Sequence, residues 1–181
     1  DLLKNAKWDN DQDGIKIKTV DKKKVRLEFD IVVPQVEFLI KTADIIKADW
    51  QSIGIKLNPI VLRPSEVNNE IIKTRNYQML IFGTILKASP DIFSFWHSSE
   101  RFYPGGNLAL FSNKTVDTLL ESVKTDIDEK SRNASLSKIQ NLIIQERPAN
   151  FIFSPIYFYA ATKELKGFNE KFLATRSDRF D

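Results

Sequence analysis

Cysteine is absent from this 181-residue chain, histidine and methionine occur once each, and glycine occurs only six times. Without cysteine there is no disulfide, no thiolate metal site and no cysteine nucleophile, and either an oxidising or a reducing compartment is permitted. The lone His97 has no second histidine or cysteine to share a metal and no paired nucleophile, so it reads as a surface or satisfied core residue. No apolar run is long enough to span a bilayer, and the opening Asp1-Leu-Leu-Lys4 has neither the basic region nor the apolar stretch of a signal peptide. The chain therefore reads as a cytoplasmic protein, a processed product or an excised domain. Repeats and low-complexity linkers are missing too. Charge of a single sign is also lacking: 27 basic and 24 acidic residues are mostly interspersed, leaving a net +3. The densest basic run, Lys22 to Lys24, reads as the solvated turn of a hairpin, which disfavours nucleic acid as a partner.

What is present is enough apolar residue, 42%, for one real core. A single domain over 1–181 is expected. Leu2 to Trp8 reads as the end of a helix, and Asp9 to Gly14 as a turn cluster. Ile15 to Val20 alternates as a strand, Asp21 to Lys24 turns the chain, and Val25 to Val33 returns as a second strand that becomes continuously apolar. Pro34 is placed to open a helix whose apolar positions run from Val36 to Trp50 before Gly54 ends it. Ile55 to Leu62 is a strand, Pro64-Ser65 starts a short helix, and Tyr77 to Gly83 is a buried strand. This order predicts an α/β fold, a mixed sheet carrying helices. Two further helices are expected around Val116–Val123 and Leu136–Ile143. The tail from Asn150 to Thr162 reads as an aromatic strand, with Pro155 at an edge or bulge.

The run from Tyr77 to Asn107 is the most telling. Ligands of α/β proteins bind just past the carboxyl ends of strands, and here an apolar strand spills into an apolar loop, Thr84 to Ala88. Ser89, Pro90 and Asp91 then suit the cap, first position and positive end of a helix carrying Phe95 and Trp96.

Several stretches occur in one order: Ala48-Asp-Trp-Gln-Ser-Ile-Gly-Ile-Lys-Leu57, the Ser89-Pro-Asp91 turn with Phe95 and Trp96, Asn107, and Ser112-Asn113 with Val116, Asp117, Leu119 and Leu120. Arg132 with Ile139-Gln140 and then Pro148 completes the series. It resembles the oligopeptide/dipeptide-binding family of extracytoplasmic solute-binding proteins, the receptors of ABC importers, and Asn5 to Ile15 resembles the opening of that family's second lobe. The resemblance implies the second, C-terminal lobe of a type II periplasmic-binding-protein architecture. It also implies a peptide or other small solute as ligand, and as partners the first lobe of the same receptor and the importer's membrane subunits. A periplasmic or membrane-anchored lipoprotein setting follows, with neither catalysis nor a cofactor.

By that resemblance the ligand-facing residues are Gly83, Thr84, Ile85, Leu86, Trp96 and Asn107. Where many family members carry an aspartate for a peptide's terminal ammonium, counting back from Pro90 gives Leu86. A cation in a closed cleft needs a counter-charge to offset its desolvation, so unless Asp91 or a shifted loop replaces that acid, Leu86 implies a longer or blocked peptide, or another apolar solute.

Other readings compete. Asp9, Asp11, Asp13 and Gly14 match the first half of a calcium loop, but its twelfth position is Val20 rather than a bidentate glutamate. Ser98 and Ser99 beside His97 lack a nucleophile elbow, which disfavours a hydrolase. A sensory or regulatory module could reuse the same lobe. Asp91 alternatively serves only as a helix-start acid, and Asn107 as a cap on loop backbone. The sequons at Asn113 and Asn133 carry no weight in a bacterial or archaeal setting.

Overall fold

A computed structural model describes residues 2–84, 92–154, 160 and 162–164. The chain forms two compact units, Asp1–Gly83 and Thr84–Asp181.

In the first unit a short helix α1 (Leu2–Asn5) leads into β1 (Asp9–Asn10), β2 (Lys16–Val20) and β3 (Lys23–Arg26), an antiparallel sheet in that order. Asp21 and Lys22, both at positive φ, make the tight turn between β2 and β3. The second strand expected over Val25 to Val33 is in fact two. Leu27 divides them: its N–H donates to Lys16 O at 2.8 Å and its carbonyl accepts from Lys56 N at 2.9 Å. Before Leu27 the chain belongs to the hairpin, and after it β4 (Glu28–Pro34) becomes the centre of a parallel sheet between β5 (Lys56–Leu62) and β6 (Met79–Leu80). The alternating half of the segment suits a strand open on one face, and the continuous half suits a strand covered on both.

Pro34 does not open the helix but ends β4, opposite Leu62. Gln35 N–H donates to Leu62 O at 2.7 Å, so by alternation the donor that Pro34 lacks would face beyond the last rung of the very short β6. Pro59 similarly lies on β5, an edge strand, opposite Ile31. The helix itself, α2 (Glu37–Ser52), follows Val36 and stops at Gly54, whose φ is +81°. A side chain at Gly54 would also lie 2.9 Å from Gly14 O. Ile31, Val33, Ala43, Leu57 and Ile81 form the core of this unit, with Phe29, Leu39, Ile40, Ile46, Trp50 and Met79 packed around them. Each fully buried aliphatic chain of this kind contributes about 1.5–3 kcal/mol. Beyond β5, Pro64 starts a single helical turn, α3 (Pro64–Glu66), that widens into a π-helical stretch, Val67–Ile72.

The second unit has a one-turn helix α4 (Phe93–Trp96), a 3-10 turn (Ser98–Glu100), an irregular loop, and two long helices, α5 (Lys114–Thr125) and α6 (Glu129–Glu146). Asn113 caps α5, its Oδ1 accepting from Thr115 N at 2.9 Å and Val116 N at 3.1 Å, and Asp128 caps α6 through Ser131 N at 2.9 Å. Asn113 is thus the capping residue of a helix. Phe111, Val116, Leu120, Ile139 and Ile143 make the core. Residues 150–154 carry no strand, and Phe151, Ile152 and Phe153 are exposed. Ser89, Pro90 and Asp91, the expected helix start, lie outside the described residues, as does Pro155.

Candidate functional site

Because β4, β5 and β6 are parallel, their carboxyl ends share one edge, where Pro34, Leu62 and Leu80 close the strands. This is the edge where ligands of open α/β sheets bind. Past β6, Ile81 remains buried and donates to Val32 O at 2.9 Å, after which Phe82, Gly83 and Thr84 are exposed. A Cβ added at Gly83 would meet nothing within 4 Å, so the backbone there faces open space. Of the residues expected to face a ligand, Gly83 ends the first unit, Thr84 begins the second, and Ile85 and Leu86 lie outside the described residues.

At the end of β5, Arg63 and Glu66 neutralise each other. Glu66 Oε2 accepts from Arg63 N at 2.8 Å and Oε1 from the guanidinium at 2.6 Å. The hydrogen bond from the Arg63 side chain, with that from its backbone, holds the Glu66 carboxyl below its ordinary range, and the same pair raises Arg63.

In the second unit Trp96 and Asn107 converge on Phe111. The Trp96 ring meets Phe111 edge-on at 6.1 Å and 83°, and meets Phe151 at 6.0 Å. Asn107 is fully buried. Its Nδ2 donates to His97 O at 3.1 Å and Phe111 O at 2.9 Å, while Oδ1 accepts from Phe111 N at 3.0 Å. Both amide hydrogens are therefore used on backbone, and Asn107 acts as the clamp of its loop. The neighbouring glycines are needed for close approach: a Cβ at Gly105 would fall 2.2 Å from Glu100 O, and one at Gly106 2.9 Å from Ser94 O.

Sequence reasoning missed a polar cluster beside this clamp. Asp117 on α5 accepts from Ser98 N at 2.8 Å and Ser98 Oγ at 2.6 Å, tying the 3-10 turn to the helix. His97 stacks on Phe93 with centroids 4.1 Å apart, and Lys124 Nζ lies 3.5 Å from the centre of the Phe93 ring. Ser99 N donates to His97 Nδ1 at 3.2 Å, which assigns the ring hydrogen to Nε2. Nε2 is buried without a hydrogen bond, 3.5 Å from Glu121 Oε1 and 3.9 Å from Asp117 Oδ1. Ser99, His97 and an acid are thus close, with Nδ1 2.8 Å from Ser99 Oγ as well as accepting from the Ser99 backbone, but both Asp117 oxygens are taken by Ser98 and no acid hydrogen-bonds the ring, so the arrangement caps the 3-10 turn and does not form a triad. The acidic turn of the first unit holds an internal cation. Asp11 Oδ1 accepts from Asp13 N and Ile15 N at 2.9 Å, and the Arg26 guanidinium lies 3.0 Å from Asp11 Oδ2 and 3.2 Å from Asp13 Oδ2. Asp9 sits in β1 opposite Ile17. Among the described residues no three His, Cys, Asp or Glu side chains gather to hold a metal ion.

No protein-family model matches the chain. The oligopeptide-binding protein AppA of Bacillus subtilis (strain 168) is 24% identical over 170 residues, which is 92% of this chain and 30% of AppA. The probable D,D-dipeptide-binding periplasmic protein DdpA of Escherichia coli (strain K12) is 29% identical over 82 residues, 45% of this chain and 16% of DdpA. Among solved structures, the oligopeptide-binding protein from Thermus thermophilus, complexed with a pentapeptide, superposes with a TM-score of 0.72 at 21% identity, over 81% of this chain and 27% of that one. AppA in complex with a nonapeptide gives 0.70 at 23% identity over 81% of this chain and 29% of AppA. The likeness establishes the fold, mixed α/β of the type II periplasmic-binding-protein kind, and both comparisons agree with the resemblance read from the sequence. The chain spans less than a third of the length of these relatives. Among the described residues no helix is long and apolar enough to cross a membrane.

Proposed function

We propose that this chain is the second lobe of an extracytoplasmic receptor for peptides or peptide-like solutes, with its two compact units as parts of that one lobe. The receptor delivers solute to the membrane subunits of an ABC importer. The observation that carries this reading is the likeness to AppA over 92% of the chain, together with a fold shared with solved peptide complexes. The exposed backbone at Gly83 and Thr84, just past the carboxyl end of β6, offers an extended peptide an edge to join. In the sequence the apolar residues Ile85 and Leu86 follow directly on Thr84, and in the second unit Trp96 is the aromatic residue we assign to the ligand. Asn107 serves the site by holding the loop that carries Phe111, against which Trp96 packs.

The mechanism is hinge closure: this lobe and a first lobe trap the solute between them, and the closed form is what the transporter recognises. Such a protein binds and releases, and needs no catalytic group. Leu86 stands where many relatives of this type carry the acid that pairs with a peptide's ammonium. The preferred solute is therefore a longer or N-blocked peptide, recognised largely through its backbone.

The test is calorimetric titration of matched peptides, free and N-acetylated, into a two-lobed receptor containing this chain. Comparable affinity for both forms is expected, and a strict requirement for the free amine would overturn the assignment of Leu86. Titration into the 181-residue chain alone should give weak or undetectable binding, because it offers half a cleft; equally tight binding by both proteins refutes the two-lobe mechanism.

A further inference from the structure

The β2–β3 hairpin gathers charge that the rest of the chain does not share. Lys16, Lys18, Lys22, Lys23, Lys24 and Arg26 stand against the single acid Asp21. This one hairpin is more positive than the whole chain, whose net charge is +3, so the remainder is net negative. Arg26 is taken by Asp11 and Asp13. Among the described residues, no carboxylate lies within ion-pair distance of the five lysines, and Lys18 instead sits 5.9 Å from the Trp8 ring centre.

The register arranges them. Lys18 pairs with Val25 and Val20 with Lys23, so these four share one face of the ribbon, two lysines set diagonally against two valines. Val20 and Val25 are 44% and 41% exposed. Lys22 lies in the tight turn, and the Arg26 bridge to Asp11 and Asp13 braces the hairpin's other end. The result is a braced ribbon with a cationic tip and a face that mixes two exposed valines with Lys18 and Lys23, neither of them in an ion pair among the described residues.

We propose that this hairpin is a docking surface for a lipid bilayer rich in anionic headgroups. Lysine ammonium groups meet the lipid phosphates while the valines enter the boundary between headgroup and acyl chain, the combination that favours a membrane surface over a bare polyanion. A nucleic acid would use the charge but leave Val20 and Val25 without a partner. The inference goes beyond solute binding and does not depend on it, since no solute is needed for the measurement that tests it.

Vesicle co-sedimentation of the 181-residue chain, with equal parts phosphatidylglycerol and phosphatidylcholine against phosphatidylcholine alone, decides the matter. Partitioning onto the anionic vesicles only is expected, falling steeply as salt is raised to about 0.5 M. The triple variant Lys22→Asn, Lys23→Gln, Lys24→Gln, with asparagine chosen for the positive φ at position 22, should lower the partition coefficient about a hundredfold while leaving the thermal midpoint in place. Val25→Thr should lower it severalfold without changing charge. No partitioning onto anionic vesicles, equal partitioning onto neutral ones, an unaffected triple variant, or binding of duplex DNA as tight as that of vesicles would each overturn the proposal.

Discussion

The parallel sheet of the first unit and the loop segment from Phe93 to Asn113 in the second are held by different physics. Around β4 the organising force is burial: Ile31, Val33, Leu57 and Ile81 are apolar, nearly inaccessible and arranged by strand alternation. Around α4 and the loop after it, backbone follows individual polar side chains, with Asn107 pinning His97 and Phe111, and Asp117 pinning Ser98. A core built from many apolar contacts tolerates exchange of one side chain for another of similar volume. A segment fixed by a few hydrogen bonds to otherwise unpaired backbone does not, because removing a partner leaves buried polar groups unsatisfied.

The sharpest way to break this contrast is Asn107→Ala. Three hydrogen bonds disappear in a fully buried place, leaving the N–H and carbonyl of Phe111 without that partner, and the expected loss is about 4 kcal/mol. Leu57→Ala, at 1% exposure in the first unit, should cost about 3 kcal/mol through lost burial and the cavity left behind. Urea unfolding of both variants measures the difference directly. If Leu57→Ala proves the costlier by a clear margin, the loop owes its form to packing against Phe111 and the clamp is secondary.

The same division decides what could be read in the sequence. The helices α2, α5 and α6 and the strands β2 and β5 announce themselves by apolar period and by Gly54 or Pro148 at their ends. Leu27 does not, because the change from hairpin to central strand depends on which neighbours it finds, Lys16 on one side and Lys56 on the other. Pro34 misleads for a related reason: its ring suits a helix start, yet the shortness of β6 leaves it a harmless place in the strand. In the stretch from Phe102 to Asn107 the run Pro104-Gly105-Gly106 marks irregular structure by composition, but not that Gly105 and Gly106 are there to let the loop lie against residues 94–100. The family resemblance names Asn107 and Trp96 as ligand-facing, but not that Asn107 is spent on the backbone of His97 and Phe111 or that Trp96 packs on Phe111, and the Asp117–Ser98 tie had no signal, since a spacing of nineteen residues means nothing until the helix is placed.

Smaller effects sharpen the comparison at its margins. Asn113→Ala removes the cap of α5, which two backbone N–H groups use, and should cost about 1 kcal/mol. Asn113→Ser, which retains a capping oxygen, should recover most of it, as measured by thermal midpoints. Failure of serine to rescue would mean that the Asn113 hydrogen bond to Glu146 on α6 matters more than the cap.

The smallest effect expected belongs to the exposed ion pairs of the first unit. Hydrogen bonds from Lys56 and then Asn58 hold Glu28 below its ordinary value of 4.5, and those from the Arg63 side chain and backbone do the same for Glu66. A carboxyl lowered in the folded state stabilises above its unfolded value and loses that contribution as pH falls through the folded one. Stability contributed by these pairs is therefore complete above about 4.5 and declines below it. The double variant Glu28→Gln, Glu66→Gln should lower stability slightly at neutral pH and flatten its decline on acidification. Both residues lie in the first unit, so Trp50, which packs edge-on against Phe29 at 6.0 Å there, is the suitable reporter once Trp8 and Trp96 are replaced by phenylalanine. An acid transition at Trp50 that keeps its slope in the double variant would assign the first unit's acid sensitivity to other carboxylates and leave burial around β4 as the dominant force there.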